Sequence, residues 1–118
     1  MLVVDDEPGI ANILRIKLKL HGYEVLITTR GIEAVELARI QNPDIMLLDI
    51  IMPDITGFEV LERVRTFSTV PVIVFTARRE MAEKALKSGA AAFMAKPFNP
   101  DQIIQKIESV LNASNPQP

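Results

Sequence analysis

Short β-branched runs alternate with stretches of helical spacing along the whole chain. Leu2-Val3-Val4 is an apolar run ending in Asp5-Asp6, and it predicts a first strand. Pro8 suits the first turn of a helix, where its missing N–H would have had no partner. Ile10, Ile13, Leu14 and Leu18 then recur at helical spacing, with Arg15, Lys17 and Lys19 largely on other faces. His21-Gly22 ends that helix, because Gly22 can take the left-handed conformation of a C-terminal cap. Tyr23 to Thr28 predicts the second strand and Ile32 to Ile40 the second helix, which ends before Asn42-Pro43-Asp44. Ile45 to Asp49 is apolar on both faces, as a central parallel strand covered by helices should be. Gly57 opens a third helix with Val60, Leu61 and Val64 facing inward, and Val70 to Phe75 predicts the fourth strand. Glu80 to Ser88 reads as a short Ala-rich helix closed by Gly89, and Ala92 to Ala95 as a fifth strand. Asn99-Pro100-Asp101 starts a last helix, whose stripe is Ile103, Ile104, Ile107, Val110 and Leu111. Five strand–helix pairs with short connections imply an α/β fold with a parallel sheet. Right-handed crossovers then place helices on both of its faces.

The polar residues become informative once set against this register. Asp5 and Asp6 end the first strand, Asp49 the third, Thr76 the fourth and Lys96 the fifth. The carboxyl ends of the strands form the ligand-binding edge of open parallel sheets. Three carboxylates, a hydroxyl and an ammonium therefore converge on one edge from distant parts of the sequence. Each also has a plainer reading. An Asp-Asp pair after a strand serves as a turn and helix cap, Asp49 as a turn opener, Thr76 as a cap of the fourth helix, and Lys96 as a solvated cation. None of these accounts for all five at the same edge. Close carboxylates repel and raise one another's pKa unless a cation compensates. An oxygen-only acidic cluster suits Mg²⁺, and a carboxylate beside that ion can attack a phosphoryl group while a lysine neutralises its oxygens.

Composition narrows the alternatives. The 118 residues fit one domain, and 48% hydrophobic with 24% charged residues is an ordinary globular balance. A net charge of −2 and a pI near 5.4 offer no basic stripe for nucleic acid. Without cysteine there is no disulfide, thiolate site or Cys nucleophile, and one histidine, His21, argues against a His-cluster metal site or a Ser-His-Asp triad. No apolar run reaches the roughly 18 residues of a membrane span, and no basic n-region precedes Leu2-Val3-Val4. A cytoplasmic domain over residues 1–111 is expected, with 112–118 as a polar, proline-rich tail or linker.

Taken in order, these segments resemble the receiver domain of two-component response regulators, of the chemotaxis-regulator type. The resemblance is carried by Leu2 to Pro8, His21 to Val25, Asn42 to Pro53, Thr56 to Val60, Pro71 to Arg78 and Gly89 to Phe98. It implies a flavodoxin-like, doubly wound five-stranded parallel sheet of order 2-1-3-4-5 flanked by five helices. It further implies that Asp49 is the phosphoacceptor, and that Asp6, Asp49 and the Ile51 backbone carbonyl ligate Mg²⁺, with Asp5 acting largely through water. Thr76 and Lys96 would contact the phosphoryl oxygens, Thr76 and Phe93 would form the switch, and Lys96-Pro97 would be cis. Phe93 reads equally well as a core aromatic.

The sequence departs from the family at two places. The segment between Thr76 and Gly89 is shorter than usual, and Ala91-Ala92 stands where many relatives carry aspartates. With Lys106 and Glu108 on the last helix, the dimer of the DNA-binding subfamily is not assumed, and the oligomeric state stays open. The resemblance implies a sensor histidine kinase or phosphotransfer protein as partner, and allows an effector domain beyond Pro118. It implies no nucleic-acid or membrane binding by the domain itself. The domain would be no enzyme beyond its own phosphorylation and slow autodephosphorylation. The competing readings are an interaction module that works without phosphorylation and a metal-dependent phosphatase using Asp49 on a dissociable substrate. The second lacks any cap region to enclose a substrate.

Overall fold

Alternation along the first strand divides the protein into two halves. Leu2 and Val4 point to one side of the sheet and Val3 to the other, and all three are fully buried. The computed structural model describes residues 1–114. Its elements are β1 (Leu2–Val4), α1 (Pro8–Leu20), β2 (Leu26–Thr28), α2 (Gly31–Gln41), β3 (Met46–Asp49), α3 (Gly57–Arg65), β4 (Val72–Thr76), a 3₁₀ turn (Arg79–Met81), α4 (Ala82–Lys87), β5 (Ala92–Ala95) and α5 (Pro100–Ser114). All strands pair in parallel, in the order β2-β1-β3-β4-β5. The expected sheet order is therefore found.

Each strand's period of two feeds two cores. Leu2, Val4, Met46, Leu48, Val72 and Val74 pack under Val35, Val60, Leu61 and Val64 from α2 and α3, with Ala85 of α4. Val3, Leu47, Ile73 and Phe75 pack under Leu14 and Leu18 of α1 and Ile103, Ile104 and Ile107 of α5. Helices thus cover both faces, and the strand ends are left as the open edge.

Several boundaries differ from those expected. β2 begins only at Leu26, because Tyr23 and Val25 approach the sheet without joining its ladder. α5 runs through Ser114 and so takes in Asn112 and Ala113; the rest of the expected tail, 115–118, lies outside the described residues. On α1 the buried stripe is Ala11, Leu14 and Leu18, whereas Ile13 is 57% exposed. A small residue at position 11 lets α1 lie close to the sheet, which turns Ile13 outward with Ile16 and Leu20. Gly22 (φ +88°) and Gly89 (φ +104°) hold the left-handed turns that end α1 and α4.

The shortened fourth helix is six residues long, after a 3₁₀ turn with no buried residue. Of α4 itself only Ala85 is buried. It is fastened to α3 from outside, by Lys84 over the Phe58 ring at 4.4 Å and by Arg65, whose guanidinium donates to the Gly89 carbonyl at 2.9 Å.

Candidate functional site

Four strands end in the same local device. The Asp5 carboxylate accepts the Glu7 N–H at 3.0 Å, and the Asp49 carboxylate accepts the Ile51 N–H at 3.1 Å. The Thr28 and Thr76 hydroxyls accept the N–H groups of Arg30 and Arg78 at 3.2 and 3.3 Å. In each turn a short side chain satisfies the donor two residues on, at the point where the chain leaves the sheet. The turn reading of Asp5 and Asp49 is thus correct locally, whereas Thr76 opens a turn of its own and does not cap the fourth helix, whose N-cap position is Met81. This local role does not compete with the site, because the same turns aim these side chains over one edge.

Lys96, next to the cis Lys96-Pro97 bond, reaches across that edge. Its Nζ lies 2.8 Å from Asp49 Oδ2, 3.2 Å from Glu7 Oε1 and 3.4 Å from Asp5 Oδ2. It also stands 5.0 Å above the Phe75 ring, which is set edge-on against Phe98. A cation over an aromatic face is favourable, so the ring supports the ammonium from below while the carboxylates hold it from the sides. Burial on its own pulls the Lys96 pKa down; the Asp49 hydrogen bond and the charges of Asp49 and Asp5 outweigh this, and the net shift is upward.

Carboxylate oxygens of Asp5, Asp6, Glu7 and Asp49 all lie within 4.8 Å of one another. Asp5 and Asp49 are buried, and Asp6 and Glu7 are exposed. Four carboxylates against one ammonium leave uncompensated negative charge on an oxygen-only donor set with one side open to water. That set fits Mg²⁺, which takes oxygen ligands and retains several waters. Glu7, which follows Asp5-Asp6 directly in sequence, is not among the expected site residues; at the N-cap position of α1 its carboxylate meets Lys96.

Thr76 is buried at the end of β4, beside Ala95 in the register. Phe93 sits opposite Val74 and is half-buried against the core on the α4 side. Its other side borders a groove with Arg79 and Lys106. The Ile51 side chain is exposed, so an apolar residue there is not required by packing.

Burial lifts the Asp5 pKa to about 6; the Glu7 N–H and the Lys96 charge act against this, and the Asp49 charge adds to it. The folded protein therefore binds more protons than the unfolded chain between the ordinary value of 3.8 and about 6. Stability contributed at Asp5 falls as pH rises through that window, by about 3 kcal/mol at 1.36 kcal/mol per pKa unit. Asp54 and Asp101, with lowered values, titrate below it. Asp5→Asn keeps an acceptor for Glu7 N–H but cannot ionise. In metal-free buffer it is expected to abolish the loss between pH 4 and pH 6 and to exceed the wild type at pH 7 by up to about 3 kcal/mol. Urea midpoints at both pH values check this.

Among the described residues no helix is long and apolar enough to cross a membrane. Comparisons with known proteins agree with the fold. The response regulator receiver domain family matches residues 1–108. The chain is 38% identical over 113 residues to the transcriptional regulatory protein KdpE of Mycobacterium tuberculosis, covering 94% of this chain and 50% of the relative. It is 38% identical over 117 residues to the probable transcriptional regulator ycf27 of Guillardia theta, covering 98% and 46%. The chain thus spans about half the length of these curated relatives. Among solved structures, the receiver domain of the Francisella response regulator 1452 superposes with a TM-score of 0.90 at 29% identity, covering 97% of both chains. The chemotaxis response regulator CheY4 of Vibrio cholerae gives 0.87 at 32% identity, covering 92% of this chain and 95% of the other. With this sheet order, this acidic edge and a family match over nearly its whole length, the chain belongs to the response regulator receiver domain family.

Proposed function

We propose that the domain takes a phosphoryl group on Asp49 from a histidine phosphodonor and that the phosphorylated state alters a surface read by a partner. The observation that carries this reading is the contact of Lys96 Nζ with Asp49 Oδ2 at 2.8 Å inside a cluster that also holds Asp5 and Asp6. An Asp49 carboxylate oxygen forms the new O–P bond as the donor's P–N bond breaks. The electron pair of that bond stays on the departing imidazole nitrogen. Lys96 then pairs with a phosphoryl oxygen, and the Thr76 hydroxyl donates to another. Asp6, Asp49 and the Ile51 carbonyl, with Asp5 through water, would hold Mg²⁺, which would supply positive charge beside the oxygens of the transferring group.

The partner is a sensor histidine kinase or a phosphotransfer protein, and the compartment is the cytoplasm. The relatives are named as transcriptional regulators and are about twice as long, which supports an effector beyond Pro118 as the output. No dissociable substrate is involved; autodephosphorylation returns the switch to its resting state. Thr76 and Phe93 are the switch pair, with the sparsely anchored α4 beside them. A small phosphodonor such as acetyl phosphate tests the reaction. One phosphoryl mass is expected with Mg²⁺ and none with chelator; equal uptake in both, or none in either, would overturn the proposal. A phosphorylation-independent module would instead bind its partner equally with and without a beryllofluoride mimic.

A further inference from the structure

The loop from Asp49 to α3 is fastened at a place remote in sequence from the acidic cluster. The N-terminus of α2 has no cap of its own, since Arg30 offers no side-chain acceptor. The acceptor comes from Asp54, 23 residues away: Oδ1 accepts the Gly31 N–H and Oδ2 the Ile32 N–H, both at 2.9 Å. A carboxylate there is favoured by the helix dipole as well as by the two hydrogen bonds. Those bonds, the one from Ile32 foremost, hold the Asp54 pKa down at about 2, so it is ionised throughout the physiological range. The neighbouring Ile55 packs on Gly31 so closely that a Cβ added there would come within 2.6 Å of its side chain. The same loop carries the Ile51 N–H that holds Asp49 Oδ1 at 3.1 Å.

We propose that Asp54 is a positioning residue for the chemistry at Asp49: seated on the first two amides of α2, it holds the β3–α3 loop where Ile51 can orient the Asp49 carboxylate. This rests on the phosphoacceptor reading of Asp49. Loss of the clasp frees the loop between its anchor at Gly57 and the end of β3. The Ile51–Asp49 hydrogen bond then opens more often, and the reactive oxygen loses its fixed direction. Outer partners that orient a site's ligands carry effects of about 10- to 100-fold, and an exposed clasp belongs at the lower end.

Asp54→Ala and Asp54→Asn decide the matter beside Ile107→Val, a core change on α5 away from the site that lowers stability without touching the loop. All are assayed well below their melting temperatures. Two quantities are read: Ile51 amide hydrogen exchange in metal-free buffer, and the rate of phosphoryl uptake from acetyl phosphate with Mg²⁺. Asp54→Ala is expected to speed Ile51 exchange and slow uptake, each about tenfold. Asp54→Asn, which keeps one acceptor oxygen, should show a smaller loss, and Ile107→Val wild-type values in both. Wild-type exchange and uptake in Asp54→Ala would make Asp54 a helix cap and nothing more. If that variant does not fold, the same comparison with Asp54→Asn decides. A wild type that takes up no phosphoryl group would overturn the reading of Asp49, while Ile51 exchange would still support or overturn the clasp.

Discussion

Gly57→Ala is expected to destabilise the domain by about 3 kcal/mol, at the upper end of overpacking costs. A Cβ at this position would lie 2.7 Å from Ile50 Cα and closer still to the Asp49 carbonyl oxygen. Both are backbone atoms at the end of β3 and cannot rotate away as a side-chain tip could. The Gly57 N–H donates to the Ile50 carbonyl at 2.6 Å, so α3 starts in direct contact with the strand that carries Asp49. Either α3 backs away, opening the core at Val60 and Leu61, or the end of β3 shifts and takes Asp49 with it. Stability and phosphoryl uptake should therefore fall together. Gly9→Ala is the internal control: nothing lies within 4 Å of a Cβ there, and inside α1 the change should raise stability by about 0.4–1 kcal/mol through the unfolded chain. Urea midpoints of the two variants should move in opposite directions.

Lys96→Met separates charge from packing. Methionine keeps a flexible apolar stem over Phe75 but removes the only ammonium that touches Asp5, Glu7 and Asp49 among the described residues. Phosphoryl uptake should slow by about 10²- to 10³-fold, the usual loss when one charge-stabilising donor is removed from a reacting centre. Metal-free stability at pH 7 should fall by about 3 kcal/mol, because two buried carboxylates lose their counter-ion. The sign follows from linkage: a lysine whose pKa is raised on folding contributes its full stabilisation below the ordinary value of 10.5 and loses it only as pH rises through the folded value. Without the lysine charge, the Asp5 pKa climbs beyond about 6. Saturating Mg²⁺ should restore the stability and leave the rate low. Recovery of both would reduce Lys96 to a structural counter-ion.

The two-sided core was legible because strands and helices have periods of two and 3.6, and Val3 against Leu2 and Val4 already separates the faces. The strand-end position of Asp5, Asp49, Thr76 and Lys96 followed from the same register. Periodicity could not fix the face of α1, where Ile13 and Leu14 compete and the small Ala11 decides between them. The start of β2 depends on hydrogen bonding to β1, which the apolar run from Tyr23 does not encode. Glu7 escaped because an exposed acid just before a helix looks the same in sequence whether or not a lysine 89 residues away reaches it. The role of Asp54 escaped for a similar reason, and so did the close approach at Gly57, which in sequence reads only as the start of α3. A capping carboxylate and a glycine demanded by close approach are defined by partners on other elements, and Asp54 in particular reads as an ordinary loop residue.

The central claim is that Asp49 is the residue that carries the phosphoryl group. Wild type and Asp49→Asn, incubated with acetyl phosphate and Mg²⁺ and compared by intact mass and then by peptide mass, test it most directly. The account predicts one phosphoryl group on the wild type, within the peptide containing Asp49, and none on the variant. An unmodified wild type, a phosphoryl group in another peptide, or equal uptake by Asp49→Asn would contradict it.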